Sequence, residues 1–255
     1  MKRLFALIAL SSALCACAQE QERTQIVAHR GMWKENAQNS LASLKAAQDF
    51  GCWGSEFDLH LTDDEVVVVN HDDIIGETKI QTSPLEEVRR YTLKNGEKIP
   101  LLDEYLKQGA LSKCVLVLEL KPHYKKEREN ILMDKCLQAL RENKLMDPER
   151  IAFISFSYHI CKELAKRCPG FTVQYLEGDK APAEVFADGI NGIDYHFSKF
   201  QKNPEWVKEA HDLGMSVNVW TVDKADDIRQ MLQLGVDQIT TNDPVLTREI
   251  ILGNQ

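Results

Sequence analysis

The chain has 255 residues, 44% of them hydrophobic, and a formal net charge of −8. This length suits one large domain, and an α/β barrel uses about 250 residues in a single one. The acidic balance argues against nucleic acid as a partner, since such binders carry a basic patch or stripe, but it leaves an anionic substrate open, because a bound cation can reverse the field inside one pocket.

In chain order, the first segment reads as an export signal. Met1-Lys2-Arg3 gives a positive start, and Leu4 to Leu14 is an apolar run too short for a comfortable membrane span. Then comes "LCAC", with Leu14 three places and Ala16 one place before Cys17. This stretch resembles a bacterial lipoprotein signal. The resemblance implies a signal peptide over 1–16, lipidation of Cys17 as the mature amino terminus, and a polar tether over 17–24. A plain secretory signal cleaved near Ala18 is the alternative. Both place the mature chain outside the cytoplasm, in the cell envelope.

From residue 25 onward, short apolar runs alternate with amphipathic segments. The strand-like runs are "QIVAHR", "GSEFDLHL", "VVVVNHD", "CVLVLELK", "IAFISF", "TVQYL", "GINGIDYHF", "SVNVWTV" and "DQITTN". Helical patterns span Ser40 to Phe50 before Gly51, Lys125 to Lys144, Pro204 to Leu213 before Gly214, and Lys224 to Leu234 before Gly235. Helices closed by glycine and followed by β-branched strands are what βαβ units require. Repeated this often, they predict a (β/α)8 TIM barrel over 25–255. An open doubly wound sheet is the alternative, but no GxGxxG or P-loop follows an early strand. "DDEVVVVNHDDIIGE" follows the second strand too closely for a helical crossover. It reads as two extended segments around an acidic turn at Asp63-Asp64, followed by a small insertion through about Leu102. Of seven cysteines, Cys52, Cys114, Cys136, Cys161 and Cys168 remain after the signal. They show no paired CxxC pattern, so no zinc site is expected. They read as buried free thiols, with Cys161 and Cys168 the pair close enough for a disulfide.

Alternation in "GSEFDLHLT" puts Phe57, Leu59 and Leu61 on one face and Glu56, Asp58 and His60 on the other. Two carboxylates on one inner face stay ionised together only beside a cation. "VLVLELK" repeats the pattern, with Glu119 and Lys121 sharing a face. A third carboxylate from a second strand would complete a hard oxygen site for Ca2+ or Mg2+. His29 and His71 each end a strand, and near such a metal and Arg30 they are candidates for an acid–base pair. His60 shares the ligand face and could contact metal or substrate, or be a partly exposed inner-face polar residue. His196 and Asp243 also end strands, with no chemical role assigned. Gly31 allows a sharp turn that would clear the pocket.

"AHRG", "AQNSLASLKAA", "GSEFDLHLTDD", "VVVVNHD", "LELK" and "VNVWTVDKADDIRQMLQLGVDQITTNDP" together resemble the glycerophosphodiester phosphodiesterase family, from about Ile26 to Pro244. The resemblance implies a (β/α)8 barrel with a small insertion after the second strand. It implies Glu56, Asp58 and Glu119 as metal ligands and His29 and His71 as general acid and base. Arg30 and Lys121 would hold phosphate oxygens, and Trp220, sharing a face with Asn218, would wall the glycerol or alcohol portion. Its reaction is hydrolysis of glycerophosphodiesters to glycerol phosphate and an alcohol. One position departs: Gln38 stands where the family carries glutamate, keeping an acceptor oxygen without the charge, with Glu35 nearby as a substitute. A phospholipase C/D-type enzyme acting on lipids or lysolipids, a non-catalytic phosphodiester-binding lipoprotein and a structural envelope protein are the other readings of the sequence.

Overall fold

The computed structural model describes residues 24–253; the signal segment and Cys17 lie outside the described residues. The chain runs β1 (Gln25–Ala28), α1 (Leu41–Phe50), β2 (Gly54–Leu61), β3 (Val67–Val69), β4 (Ile74–Ile75), β5 (Thr78–Lys79), α2 (Leu85–Val88), α3 (Leu102–Gly109), β6 (Val115–Leu120) and α4 (Lys126–Glu142). It continues β7 (Ile151–Ser155), α5 (Tyr158–Arg167), β8 (Thr172–Tyr175), α6 (Pro182–Ala187), β9 (Gly192–His196), α7 (Phe197–Lys202), α8 (Glu205–Asp212), β10 (Ser216–Trp220), α9 (Ala225–Leu234), β11 (Gln238–Thr241) and α10 (Pro244–Gly253).

Strands β1, β2, β6, β7, β8, β9, β10 and β11 are hydrogen-bonded in that order, all parallel, and β11 returns to β1 to close the ring. This is the expected (β/α)8 barrel. Strand alternation divides its packing into two layers. Phe57, Leu59, Leu61, Leu116 and Leu118 face outward and pack under the helices in the main core, where Phe57 and Tyr105 of α3 meet at 4.3 Å between ring centroids. Val27, Val115, Val117, Ala152, Ile154 and Leu176 fill the lumen with Trp53, Phe156 and Trp220. The lumen is tight at Gly192, where a Cβ would lie 2.5 Å from Ser216 Oγ and 2.6 Å from Gln174 Cγ.

Local signals set the helix ends. The Ser40 side chain caps α1 by accepting from the Ser43 amide, and Gly51 ends the helix in the left-handed region. Gly235 ends α9 the same way. The segment after β2 turns at Thr62 to Glu65 and returns as β3, antiparallel to β2. Residues through Leu101 then form an insertion with its own core of Val68, Ile80, Val88 and Ile99. Its β4–β5 hairpin and the helices α2, α3, α5, α6, α7 and α10 are elements whose bounds the sequence patterns did not delimit. The five described cysteines are free and buried, Cys161 and Cys168 among them. Among the described residues no helix is long and apolar enough to cross a membrane.

Candidate active site

The candidate ligands converge at the carboxyl ends of the barrel strands, the end where such barrels carry their chemistry. The register pairs Asp58 of β2 with Glu119 of β6. One carboxylate oxygen from each of Glu56, Asp58 and Glu119 lies within 4.8 Å of the other two, and all three side chains are buried. Lys121 Nζ is 2.6 Å from Asp58 Oδ1 and 2.6 Å from Glu119 Oε1. Arg30 Nε is 3.7 Å from Asp58 Oδ2. Lys121, expected on phosphate oxygens, here bridges two of the carboxylates.

Two cations cannot keep three buried carboxylates ionised. Burial lifts Glu56 well above the usual carboxylate range, and the charges of Asp58 and Glu119 add to it. Burial, then Asp58, raises Glu119 to about 7. Burial would raise Asp58 too, but Lys121, His71 and Arg30 outweigh it and hold that carboxyl low. Glu56 Oε2 accepts the Arg30 backbone N–H at 2.8 Å, while Oε1 is buried without a partner. A buried, unpaired carboxylate oxygen between two further acids is a donor set suited to a hard divalent cation.

The turn after β1 is built against this cluster. Arg30 adopts a left-handed backbone, φ 56°. Gly31 follows at φ 75°, where a Cβ would lie 2.5 Å from Ser43 Oγ and 2.6 Å from the Ser43 carbonyl carbon. The glycine therefore lets the turn press on α1; clearing the pocket is not its role. Asn39 reaches back to β2, donating from Nδ2 to Asp58 Oδ2 at 2.8 Å and accepting from the Asp58 amide at 3.2 Å. Arg30 Nη1 donates to Gln38 Oε1 at 2.8 Å. Gln38 thus holds the guanidinium through a neutral bond, and Glu35 is exposed.

Each candidate histidine is held by Nδ1. His29 Nδ1 lies 2.8 Å from Asn242 Oδ1. Asn242 in turn donates to Asp223 from Nδ2 and from its backbone N, both at 2.7 Å. With its amide nitrogen on a carboxylate, Asn242 presents oxygen to the ring, so His29 donates from Nδ1 and keeps a lone pair on Nε2. Burial, reinforced by Arg30, lowers the His29 pKa to about 4, so the ring is neutral at pH 7. His71 Nδ1 faces Asp72 Oδ1 at 2.7 Å. His60 is not partly exposed: it is fully buried, its Nε2 donates to the His71 carbonyl at 3.2 Å, and burial lowers it to about 4. His196 caps α7 and packs edge-on against Trp220 at 5.2 Å, while Asp243 accepts from the Leu246 amide at the start of α10.

His29, Arg30, His71, Lys121 and Trp220 line one small cavity of about 90 Å³, with Ile154, Phe156 and Leu176 as its apolar side. Trp220 is fixed there by its Nε1–H donating to the Asp194 carbonyl at 2.9 Å. A wider groove of about 530 Å³ opens beside it between the β1–α1 turn and the insertion, and His71 borders both.

A family profile for the glycerophosphoryl diester phosphodiesterase family matches residues 29–246. The chain belongs to the glycerophosphoryl diester phosphodiesterase family. A glycerophosphodiester phosphodiesterase of Caldanaerobacter subterraneus is 29% identical over 241 residues, 87% of this chain and 95% of that protein. A crystal structure of a glycerophosphodiester phosphodiesterase from Parabacteroides distasonis aligns with TM-score 0.88 at 42% identity, over 91% of this chain and 98% of that one. An Oleispira antarctica phosphodiesterase, solved with the product sn-glycerol-3-phosphate, shares the fold with TM-score 0.78 at 24% identity, over 90% and 97% of the two chains.

In this family member the sequence reading missed the residues that orient the site: Asn39, Asp223 and Asn242. The only signal for the last two was polar residues just beyond the ends of β10 and β11. It also passed over Asp194, a lone acid within β9.

Proposed function

We propose that this phosphodiesterase hydrolyses small, water-soluble glycerophosphodiesters to glycerol phosphate and an alcohol, using Ca2+ or Mg2+ held by Glu56, Asp58 and Glu119. The observation that carries the reading is the buried carboxylate cluster, with its unpartnered Glu56 oxygen, sharing one cavity with two histidines held by Nδ1. Held by Glu56, Asp58 and Glu119, such a cation would offset the charge on the phosphoryl oxygens.

The chain's own side chains carry the proton traffic. Arg30 holds the phosphate, its planar guanidinium able to grip two oxygens, and Lys121 adds a second cation beside it. Neutral His29 takes the proton of the glycerol hydroxyl next to the phosphodiester, and that oxygen attacks phosphorus. His71, at the edge of the groove, gives a proton to the departing alkoxide, which leaves as the alcohol. A cyclic phosphate remains. His71 then takes a proton from water as it attacks, and His29 returns a proton to the ring oxygen that leaves, giving glycerol phosphate. Trp220 supports the carbon skeleton.

Soluble diesters are favoured over intact lipids because the exposed large apolar side chains among the described residues, Ile74, Leu111, Tyr124, Phe186, Val245 and Leu252, are spread over five segments of the chain. We also infer export and lipid anchoring through Cys17, from the signal-like residues before it. A panel of glycerophosphodiesters and lysolipids, assayed with and without chelator, tests the function. Glycerol phosphate release from the soluble diesters, stopped by chelation and restored by Ca2+ or Mg2+, is expected. Turnover indifferent to chelator removes the metal, and binding without turnover makes the chain a capture protein.

A further inference from the structure

Asp194 has no part in the chemistry above, yet it lines the catalytic cavity. Its side chain is almost completely buried, at 1% exposure. One oxygen, Oδ2, accepts from Asn218 Nδ2 at 3.1 Å. The other, Oδ1, is buried with no partner. A buried acceptor left unmet is costly unless something else supplies the bond. Asn218 is itself fixed, donating to Thr240 Oγ1 at 2.9 Å and accepting from the Val219 amide at 2.8 Å, so the carboxyl has no freedom to turn away.

The indole of Trp220 is tied to the Asp194 backbone carbonyl. The indole and the Asp194 side chain therefore line one cavity. A polyol fits such a pair, with its carbons on the ring and a hydroxyl on the oxygen. Size decides which half of the diester enters: the cavity holds about 90 Å³ and the adjoining groove about 530 Å³. The compact glycerol half suits the first, and the departing alcohol suits the second.

We propose that Asp194 selects the glycerol moiety, its Oδ1 hydrogen-bonding the terminal hydroxyl that takes no part in the reaction. The proposal rests on the phosphodiesterase reading of the site. The test compares glycerol 3-phosphate with propane-1,2-diol 1-phosphate, which lacks only that hydroxyl, by calorimetric binding. The matching phosphocholine diesters are compared by kcat/KM. The wild type prefers the glycerol ligand by about 10- to 100-fold, as a site built around one hydroxyl does. In Asp194→Ala and Asp194→Val the preference falls to within about threefold, with the loss on the glycerol ligand alone. Asn218 keeps its Thr240 bond in both variants and Val fills most of the vacated space, so folding, read by circular dichroism, is retained.

An unchanged preference in both variants overturns the proposal. So does a raised cation requirement with the preference intact, which would make Asp194 a fourth carboxylate of the metal cluster. If the wild type binds glycerol 3-phosphate but cleaves no diester, the phosphodiesterase reading fails while the binding comparison still decides Asp194. If it binds neither phosphate, both fail.

Discussion

His29 and His71 differ in what holds them. The first leans on a neutral amide, itself fixed by Asp223, and the second on the carboxylate of its neighbour Asp72. In the proposed mechanism each transfers a proton, a step that contributes about 10² to 10⁴ in rate. Either His29→Ala or His71→Ala should therefore lower kcat on glycerophosphocholine by about that range, with the melting temperature little changed; wild-type turnover in both would remove the pair from the mechanism. Asn242→Ala should lower kcat by about tenfold or more, because His29 loses the partner that selects its tautomer. Nitrogen-15 NMR should then show a mixture of ring tautomers where the wild type shows Nδ1–H. The histidines themselves were legible, because each ends an apolar run. Asn242 was not: it stands 213 positions from His29, and only closure of the barrel brings them together. His60 was misread for a related reason. Alternation gives its face correctly, but not its cover: it pairs with Val68 of β3, which belongs to the core of the insertion, and no period shows the insertion folding back there.

The turn that joins β1 to α1 shows why element boundaries matter to the site. In the proposed mechanism it carries three consecutive functions in three residues: His29 the base, Arg30 the phosphate clamp and Gly31 the packing contact. Arg30 is held in the left-handed region by bonds from its own amide to Glu56 and from Asn39 to its carbonyl. Gly31 follows in the same region, close against Ser43. A Cβ there meets both an unfavourable φ, worth about 1–2 kcal/mol, and backbone atoms of α1 that cannot swing aside. Gly31→Ala should destabilise the fold by about 2–4 kcal/mol, a fall in melting temperature of about 5–15 °C, and should shift Arg30 away from the carboxylates. A melting temperature within about 1 °C of wild type would show that α1 yields instead. At this scale the sequence was readable where glycine stops a helix and a β-branched run follows, as at Gly51, Gly214 and Gly235. The run "GSEFDLHL" coincides with β2. The insertion resisted such reading, since β4 and β5 are two residues each and too short for any periodic signal.

At the scale of the whole molecule two proposals can be tested on the full chain. Anchoring through Cys17 predicts that the expressed protein sediments with membranes and carries an acyl mass on its first mature residue, while Cys17→Ala remains unacylated. A wild-type protein free of acyl groups would leave only the simpler secretory signal. The second prediction concerns pH and metal together, and its signs oppose each other. His29 and His60 have folded pKa values lowered to about 4 from 6.5. Between those values the unfolded chain binds more protons, so stability is lost as pH falls through that window. Glu119 is raised to about 7 from 4.5, and Glu56 is raised as well. There the folded chain binds more protons, so the metal-free protein loses stability as pH rises through 4.5 to about 7. A divalent cation needs those carboxylates ionised, and its binding releases their protons. Calorimetry in buffers of different ionisation heat should therefore show about one proton or more released per ion near pH 6, and affinity that climbs toward pH 8. Thermal melts should show Ca2+ or Mg2+ abolishing the loss of stability on the alkaline side while leaving the acid-side loss, which belongs to the histidines, in place. A metal affinity that stays flat across this range, with no proton released, would mean that the three carboxylates are already ionised and paired with Lys121 and Arg30, and that the cation binds elsewhere.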